Sequence, residues 1–128
     1  MGVTIFVFVF NLLIPVIILI LGLIFKNAST KINYIYGYRT VRSMKNQDTW
    51  EFANKYYGSI SIKMGIIFTI IGLIISLITM TYDKTVQGIV MIIWVTIQTI
   101  AIIATIPPVE KALKNTFDDN GNRRVDVK

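Results

Sequence analysis

Three stretches of the chain, residues 1–25, 64–82 and 85–109, contain no Asp, Glu, Lys or Arg. Each can cross the hydrocarbon core of a bilayer, which takes about 20 predominantly apolar residues in helical form. Inside hydrocarbon every backbone N–H and C=O needs an internal partner, so a span is either an α-helix or a strand of a closed barrel. Three long runs are too few and too long for barrel strands. The sequence therefore predicts an all-α membrane protein with three transmembrane helices, at about 3–25, 60–82 and 86–106. A connection over 26–59 and a tail over 107–128 complete a single membrane domain.

Where the charges lie predicts the topology. Seven of the 13 Lys and Arg (Lys26, Lys31, Arg39, Arg42, Lys45, Lys55, Lys63) fall between the first two uncharged runs. Five (Lys111, Lys114, Arg123, Arg124, Lys128) follow the third, and Lys84 alone lies between the second and third. Basic loops stay in the cytoplasm, so the N-terminus is expected outside, the 26–59 connection inside, the Asp83-Lys84 turn outside and the tail inside. The formal charge of +6 is then a property of membrane topology. It favours contact with anionic lipid headgroups, at about 1 kcal/mol per nearby Lys or Arg, over nucleic acid. The first span lacks a basic n-region and exceeds a signal-peptide core of about 7–15 residues, so it is expected to be retained. With no Cys and no His, disulfide frameworks, the usual zinc sites and Ser-His-Asp chemistry are excluded, and no cofactor or metal is expected. Abundant Ile, Lys and Asn suggest an AT-rich bacterial coding sequence, hence a multi-pass protein of the bacterial cytoplasmic membrane.

Polar residues within the spans are sparse. Pro15 has no N–H, so the carbonyl of Asn11, four residues earlier, loses its helical partner and a kink is expected there. Ser61, Gly65, Thr69, Gly72, Ser76 and Thr79 form a stripe of small residues on one face of the second span, where another helix can approach closely, within the chain or across a homodimer. Asn11 and Gln98 lie at depths that let them meet, and an interhelical hydrogen bond is the expected use, since no ionisable group accompanies them. The third span is expected to end at Pro107-Pro108.

The densest polar signature lies in the connection and the start of the second span: Asn33, Gly37-Tyr38-Arg39-Thr40, Ser43, Trp50, Asn54 and Gly58. Tyr34, Tyr36 and Tyr38 alternate, which in an extended segment would align three phenols on one side or in an interfacial belt. Gly37 marks a turn or a close backbone approach. Asp48-Thr49-Trp50-Glu51 has the form of a capping box and predicts a helix start near residue 48. From there Trp50, Asn54, Gly58 and Ser61 share one face, with Glu51 and Lys55 paired on another, which describes an amphipathic cytoplasmic helix between the first two spans. Two arrangements follow. Either this helix lies at the headgroups with lipid alone as partner, or the Asn33–Arg39 segment folds back onto its Trp50, Asn54, Gly58 face, with Arg39 held by Asp48 or Glu51.

These residues resemble the SdpI family of small bacterial membrane proteins, whose mark is an Asn, a Gly-x-Arg-Thr, a Trp, and then Asn and Gly at four-residue steps into a span. Here those positions read Asn33, Gly37-Tyr38-Arg39-Thr40, Trp50, Asn54 and Gly58. Val41 stands where a proline often follows the Arg-Thr pair, and the namesake has additional spans. The resemblance implies immunity to a secreted antimicrobial peptide toxin, and also recruitment of a transcriptional repressor to the membrane. Expected partners are therefore membrane lipids and either a peptide toxin or a cytoplasmic regulator.

Three functions of different kind stand side by side: a non-catalytic immunity protein, a signalling or scaffold protein with a basic cytoplasmic face, and a dimeric lipid-handling protein or transporter using Arg39. Asp48 and Glu51 are more simply helix caps than an acid/base pair, so catalysis is not expected. Asp118-Asp119-Asn120-Gly121-Asn122 lacks the Gly and Glu placement of a calcium loop and reads as a turn.

Overall fold

The computed structural model of the chain describes residues 1–27 and 31–125; Lys128, counted above among the basic residues of the tail, lies outside them. The elements are α1 (Gly2–Asn27), α2 (Gln47–Thr79), α3 (Lys84–Ile103) and α4 (Ile106–Thr116). Three helices are long and apolar enough to cross a membrane: α1, α2 and the run Lys84–Thr116, in which Ala104 and Thr105 separate α3 from α4. Among the described residues β-type pairing is confined to one isolated antiparallel bridge, Phe117 to Arg123. Outward faces of the long helices carry Ile, Leu, Val and Phe in the open, Ile5, Ile24, Ile66, Ile74, Ile92 and Ile100 among them. Such a surface suits hydrocarbon as solvent and would be an aggregation liability in water.

Helices α1 and α2 run antiparallel along the stripe of small residues. Gly58, Ser61, Gly65, Gly72, Ser76 and Thr79 are buried on α2, opposite Val7, Asn11, Pro15, Ile18, Gly22 and Phe25 of α1. The approach is close enough that a Cβ on Gly58 would stand 2.7 Å from Lys26 N and 2.8 Å from Gly22 O. One on Gly65 would stand 2.8 Å from the Leu19 Cα, and one on Gly72 2.8 Å from Asn11 O. Without a hydrophobic driving force between helices in lipid, this backbone proximity is what yields dispersion contact. The stripe is thus used inside the chain.

α1 continues through Pro15 as one helix. The carbonyl freed by that proline is nonetheless satisfied, because Trp94 Nε1 donates to Asn11 O at 3.1 Å, while Asn11 Nδ2 donates to Ser76 Oγ at 3.0 Å. Asn11 therefore binds α2 with its side chain and α3 with its backbone. The expected bond from Asn11 to Gln98 is not formed; the partners of Asn11 are Ser76 and Trp94, the latter one helical turn before Gln98. Gln98 is fully buried, and neither of its amide atoms has a hydrogen-bond partner among the described residues.

At the α2–α3 turn, Asp83 caps α3 by accepting from Val86 N at 2.8 Å, and Gln87 Nε2 donates to Tyr82 O at 2.9 Å. At the opposite end, α4 begins with proline in its first turn, where a missing N–H costs nothing. Pro107-Pro108 therefore opens a new helix just past the end of the third span, and much of what was expected to be tail is this helix.

Candidate functional site

The expected cytoplasmic helix is not a separate element: residues from Gln47 onward form one continuous helix with the second span. Its cap is Asn46, one residue outside the helix, with reciprocal bonds from Thr49 N to Asn46 Oδ1 at 2.9 Å and from Asn46 N to Thr49 Oγ1 at 3.0 Å. The Asp48-x-x-Glu51 box is thereby corrected to Asn46-x-x-Thr49. Asp48, in the first turn, is held instead by the tail: Arg123 forks onto it with Nε to Oδ2 at 2.9 Å and Nη2 to Oδ1 at 2.8 Å. Glu51 accepts from Gln47 Nε2 at 3.2 Å, and no ion pair joins it to Lys55 among the described residues.

Ahead of this helix, residues 31–46 fold back over its buried face. Asn33 Oδ1 accepts from both Ile35 N and Tyr36 N at 2.9 Å, which closes a local turn. Gly37 then takes φ +102°, a conformation that glycine alone adopts freely. A Cβ there would lie 2.7 Å from Asn54 Oδ1 and 3.1 Å from the Trp50 ring. This reversal delivers Tyr38 N to Asn54 Oδ1 at 2.7 Å, while Asn54 Nδ2 donates back to Trp50 O at 2.9 Å. It also undoes the expected alignment of tyrosines, since Tyr34 and Tyr36 are exposed and Tyr38 is buried. Ser43 ties the next turn, accepting from Thr40 N at 2.8 Å.

A residue the sequence did not single out completes the site. Glu110 Oε2, on α4, accepts from Tyr38 Oη at 2.9 Å and from Thr40 Oγ1 at 3.1 Å. Burial of the Tyr38 phenol, then its bond to the Glu110 carboxylate and the charge there, push its pKa well above the ordinary tyrosine value. Around this pair, Tyr38, Ala53, Val109, Leu113 and Phe117 form a small apolar core, edged by Phe52, Tyr57 and Ile60. Val109, Leu113 and Phe117 recur at four-residue steps, a periodicity that was the available signal for α4.

The tail turn docks on the same assembly. Asp118 Oδ1 accepts from Asn120 N at 2.9 Å and Asn122 N at 3.0 Å, Gly121 takes φ +84°, and Asn46 Nδ2 donates to Gly121 O at 2.8 Å. The expected turn is present. Among the described residues no cluster of three His, Cys, Asp or Glu could hold a metal ion.

Of the candidate residues, Asn33, Gly37, Tyr38, Thr40, Trp50 and Asn54 meet in this cap, and Gly58 lies one turn beyond it at the α1 crossing. Asn11 and Gln98 lie far away in the bundle interior. Arg39 projects from the cap. Its Nη1 donates to Tyr34 O, and among the described residues no carboxylate pairs with it, so the expected bond to Asp48 or Glu51 is not formed; Arg123 holds Asp48 and Gln47 donates to Glu51.

Comparison with known proteins bears on this region. The family model described as the SdpI/YfhL protein family matches residues 29–109, a stretch that includes the fold-back segment 31–46, α2, α3 and the start of α4. The Uncharacterized protein YfhL of Bacillus subtilis (strain 168) is 40% identical over 60 residues, 46% of this chain and 54% of the relative. The chain thus spans about half the length of the curated relative it matches. No solved structure matches.

Proposed function

The chain belongs to the SdpI/YfhL protein family, and from that premise we propose that it is a non-catalytic protein of the bacterial cell membrane that protects the cell against a secreted antimicrobial peptide toxin. The observation that carries this reading is how the family-signature residues are used. Asn33 closes the turn over Ile35 and Tyr36, Gly37 supplies the chain reversal, Asn54 takes the Tyr38 N–H, and Tyr38 and Thr40 both donate to Glu110, which together hold residues 31–46 as an elbow over the start of α2. What that elbow presents outward is Tyr34, Ile35 and Val41, at 84%, 85% and 81% exposure, around an Arg39 that no carboxylate among the described residues pairs with. Large apolar side chains held open beside a cation at the end of a membrane bundle make a contact surface for an amphipathic, membrane-active peptide.

Expression in toxin-sensitive cells tests it, with toxins encoded beside the gene as the challenge. Protection by the wild-type chain is expected, with loss of protection in Ile35→Asp, which leaves the cap bonds untouched. Unchanged killing of cells that carry the wild-type protein in their membranes would overturn the reading.

A further inference from the structure

Beneath the elbow, a hollow of about 470 Å³ opens between Leu21 and Phe25 of α1 and Ile102 and Ile106 of the third helical run, with Arg39 at its mouth. Leu21, Tyr57 and Ile102 also border a second hollow of about 240 Å³ that reaches Ile14, Ile18 and Ser61. The two therefore adjoin as one groove. From Phe25 to Ile14 is eleven residues of α1, about 16 Å at helical rise. That is close to one leaflet of a hydrocarbon core about 30 Å thick.

We propose that this groove is a binding site for a single anionic phospholipid, with its phosphate on Arg39 and one acyl chain along the α1–α3 cleft. The proposal stands apart from the immunity reading and does not depend on it. Its first support is the match of length and polarity: apolar walls over the depth of one leaflet, ending at a cation at headgroup level. The second is charge complementarity. A planar guanidinium suits two phosphate oxygens, and among the described residues Arg39 has no carboxylate partner to compete. The third is Ser61, whose hydroxyl is buried, without a hydrogen-bond partner among the described residues, and borders the groove below the elbow. It offers a donor to an ester carbonyl.

Mass spectrometry of the intact protein released from mixed micelles containing dioleoyl phosphatidylglycerol or dioleoyl phosphatidylcholine tests this. One retained lipid is expected, with phosphatidylglycerol favoured about fivefold. Arg39→Gln is expected to bring the two lipids to parity. Ile102→Trp, which fills the groove, is expected to remove both, whereas Ile100→Trp on the open lipid face leaves retention unchanged, and helical circular dichroism verifies folding of all three. Equal retention of the two lipids by the wild type, or equal retention by Ile102→Trp and Ile100→Trp, would mean non-specific surrounding lipid and overturn the proposal. An amphipathic peptide found in the groove in place of lipid would do the same. Failure of the wild-type chain to protect toxin-sensitive cells, with lipid retention intact, would strike the immunity reading alone.

Discussion

Trp94 Nε1 donates across 3.1 Å to the backbone carbonyl of Asn11, the one carbonyl in the first helix that Pro15 leaves without its i+4 donor. A helix defect and a tryptophan 83 residues away thus resolve one another, and the proline becomes a point of attachment for the third span.

This relationship predicts non-additive stability. Trp94→Phe keeps the ring edge-on to Phe68, now 5.4 Å from centroid to centroid, but removes the donor. A loss of roughly 0.6–2 kcal/mol is expected, the range of interhelical hydrogen bonds in membranes. Pro15→Ala returns an intrahelical N–H to the Asn11 carbonyl, so the same Trp94→Phe change is expected to cost less in that background. A double-mutant cycle by denaturant unfolding in micelles measures the difference, and simple additivity would mean that the indole bond carries no weight.

Helix-packing glycines should separate by position. Gly65→Ala places a Cβ 2.8 Å from the Leu19 backbone and cannot be absorbed by a rotamer change, so a loss of about 1–3 kcal/mol is expected. Gly88→Ala meets nothing within 4 Å in α3 and is expected to stabilise by up to about 1 kcal/mol through helix propensity. Equal effects of the two in thermal unfolding would contradict the intrachain use of the α2 stripe.

The cap should weaken at high pH. Tyr38 in the folded cap holds its proton above the ordinary tyrosine value of 10.0, so the unfolded phenol ionises first as pH rises. The contribution is fully present below about pH 10 and declines above it, toward the raised folded value. Proteolysis of the elbow should accelerate over that window, and Tyr38→Phe should abolish the acceleration. Tyrosinate absorbance should show a late high-pH step that Tyr38→Phe removes. A tyrosinate titration unchanged by Tyr38→Phe in its high-pH step would count against the Tyr38–Glu110 bond.

Topology can be read directly because the chain contains no cysteine. Tyr34→Cys, on the exposed elbow, is expected to react with an impermeant maleimide only after the membrane is opened. Lys84→Cys, at the opposite turn, is expected to react in intact cells. The reverse pattern would invert the positive-inside assignment.

The bundle was legible in the sequence because lipid imposes strong rules: uncharged runs gave the spans, and the four- and three-residue spacing of small side chains gave the α2 face that α1 now covers. Pro15 pointed to the right carbonyl, yet nothing local in the chain says that Trp94 will reach it, since the match depends on the register of two helices. At the site, the fold-back of the elbow onto Trp50 and Asn54 was one of two arrangements the pattern allowed. Gly37 decided it, because its left-handed conformation turns Tyr38 inward. Arg39 was assigned to Asp48 or Glu51 as the only carboxylates of the connection, but Asp48 is held by Arg123 from 75 residues away and Glu51 accepts from Gln47. Glu110 escaped notice because its partners, Tyr38 and Thr40, lie beyond two membrane crossings; the Val109, Leu113, Phe117 periodicity was the one cue that this stretch packs against something.

The clasp between the start of α2 and the tail has a consequence for biogenesis. Asn46 and Asp48 leave the ribosome long before Gly121 and Arg123, and the partners meet only once every intervening segment has been threaded into lipid. Closure therefore comes last in assembly, and until α4 arrives at the same membrane face the Tyr38 hydroxyl has no Glu110 to receive it.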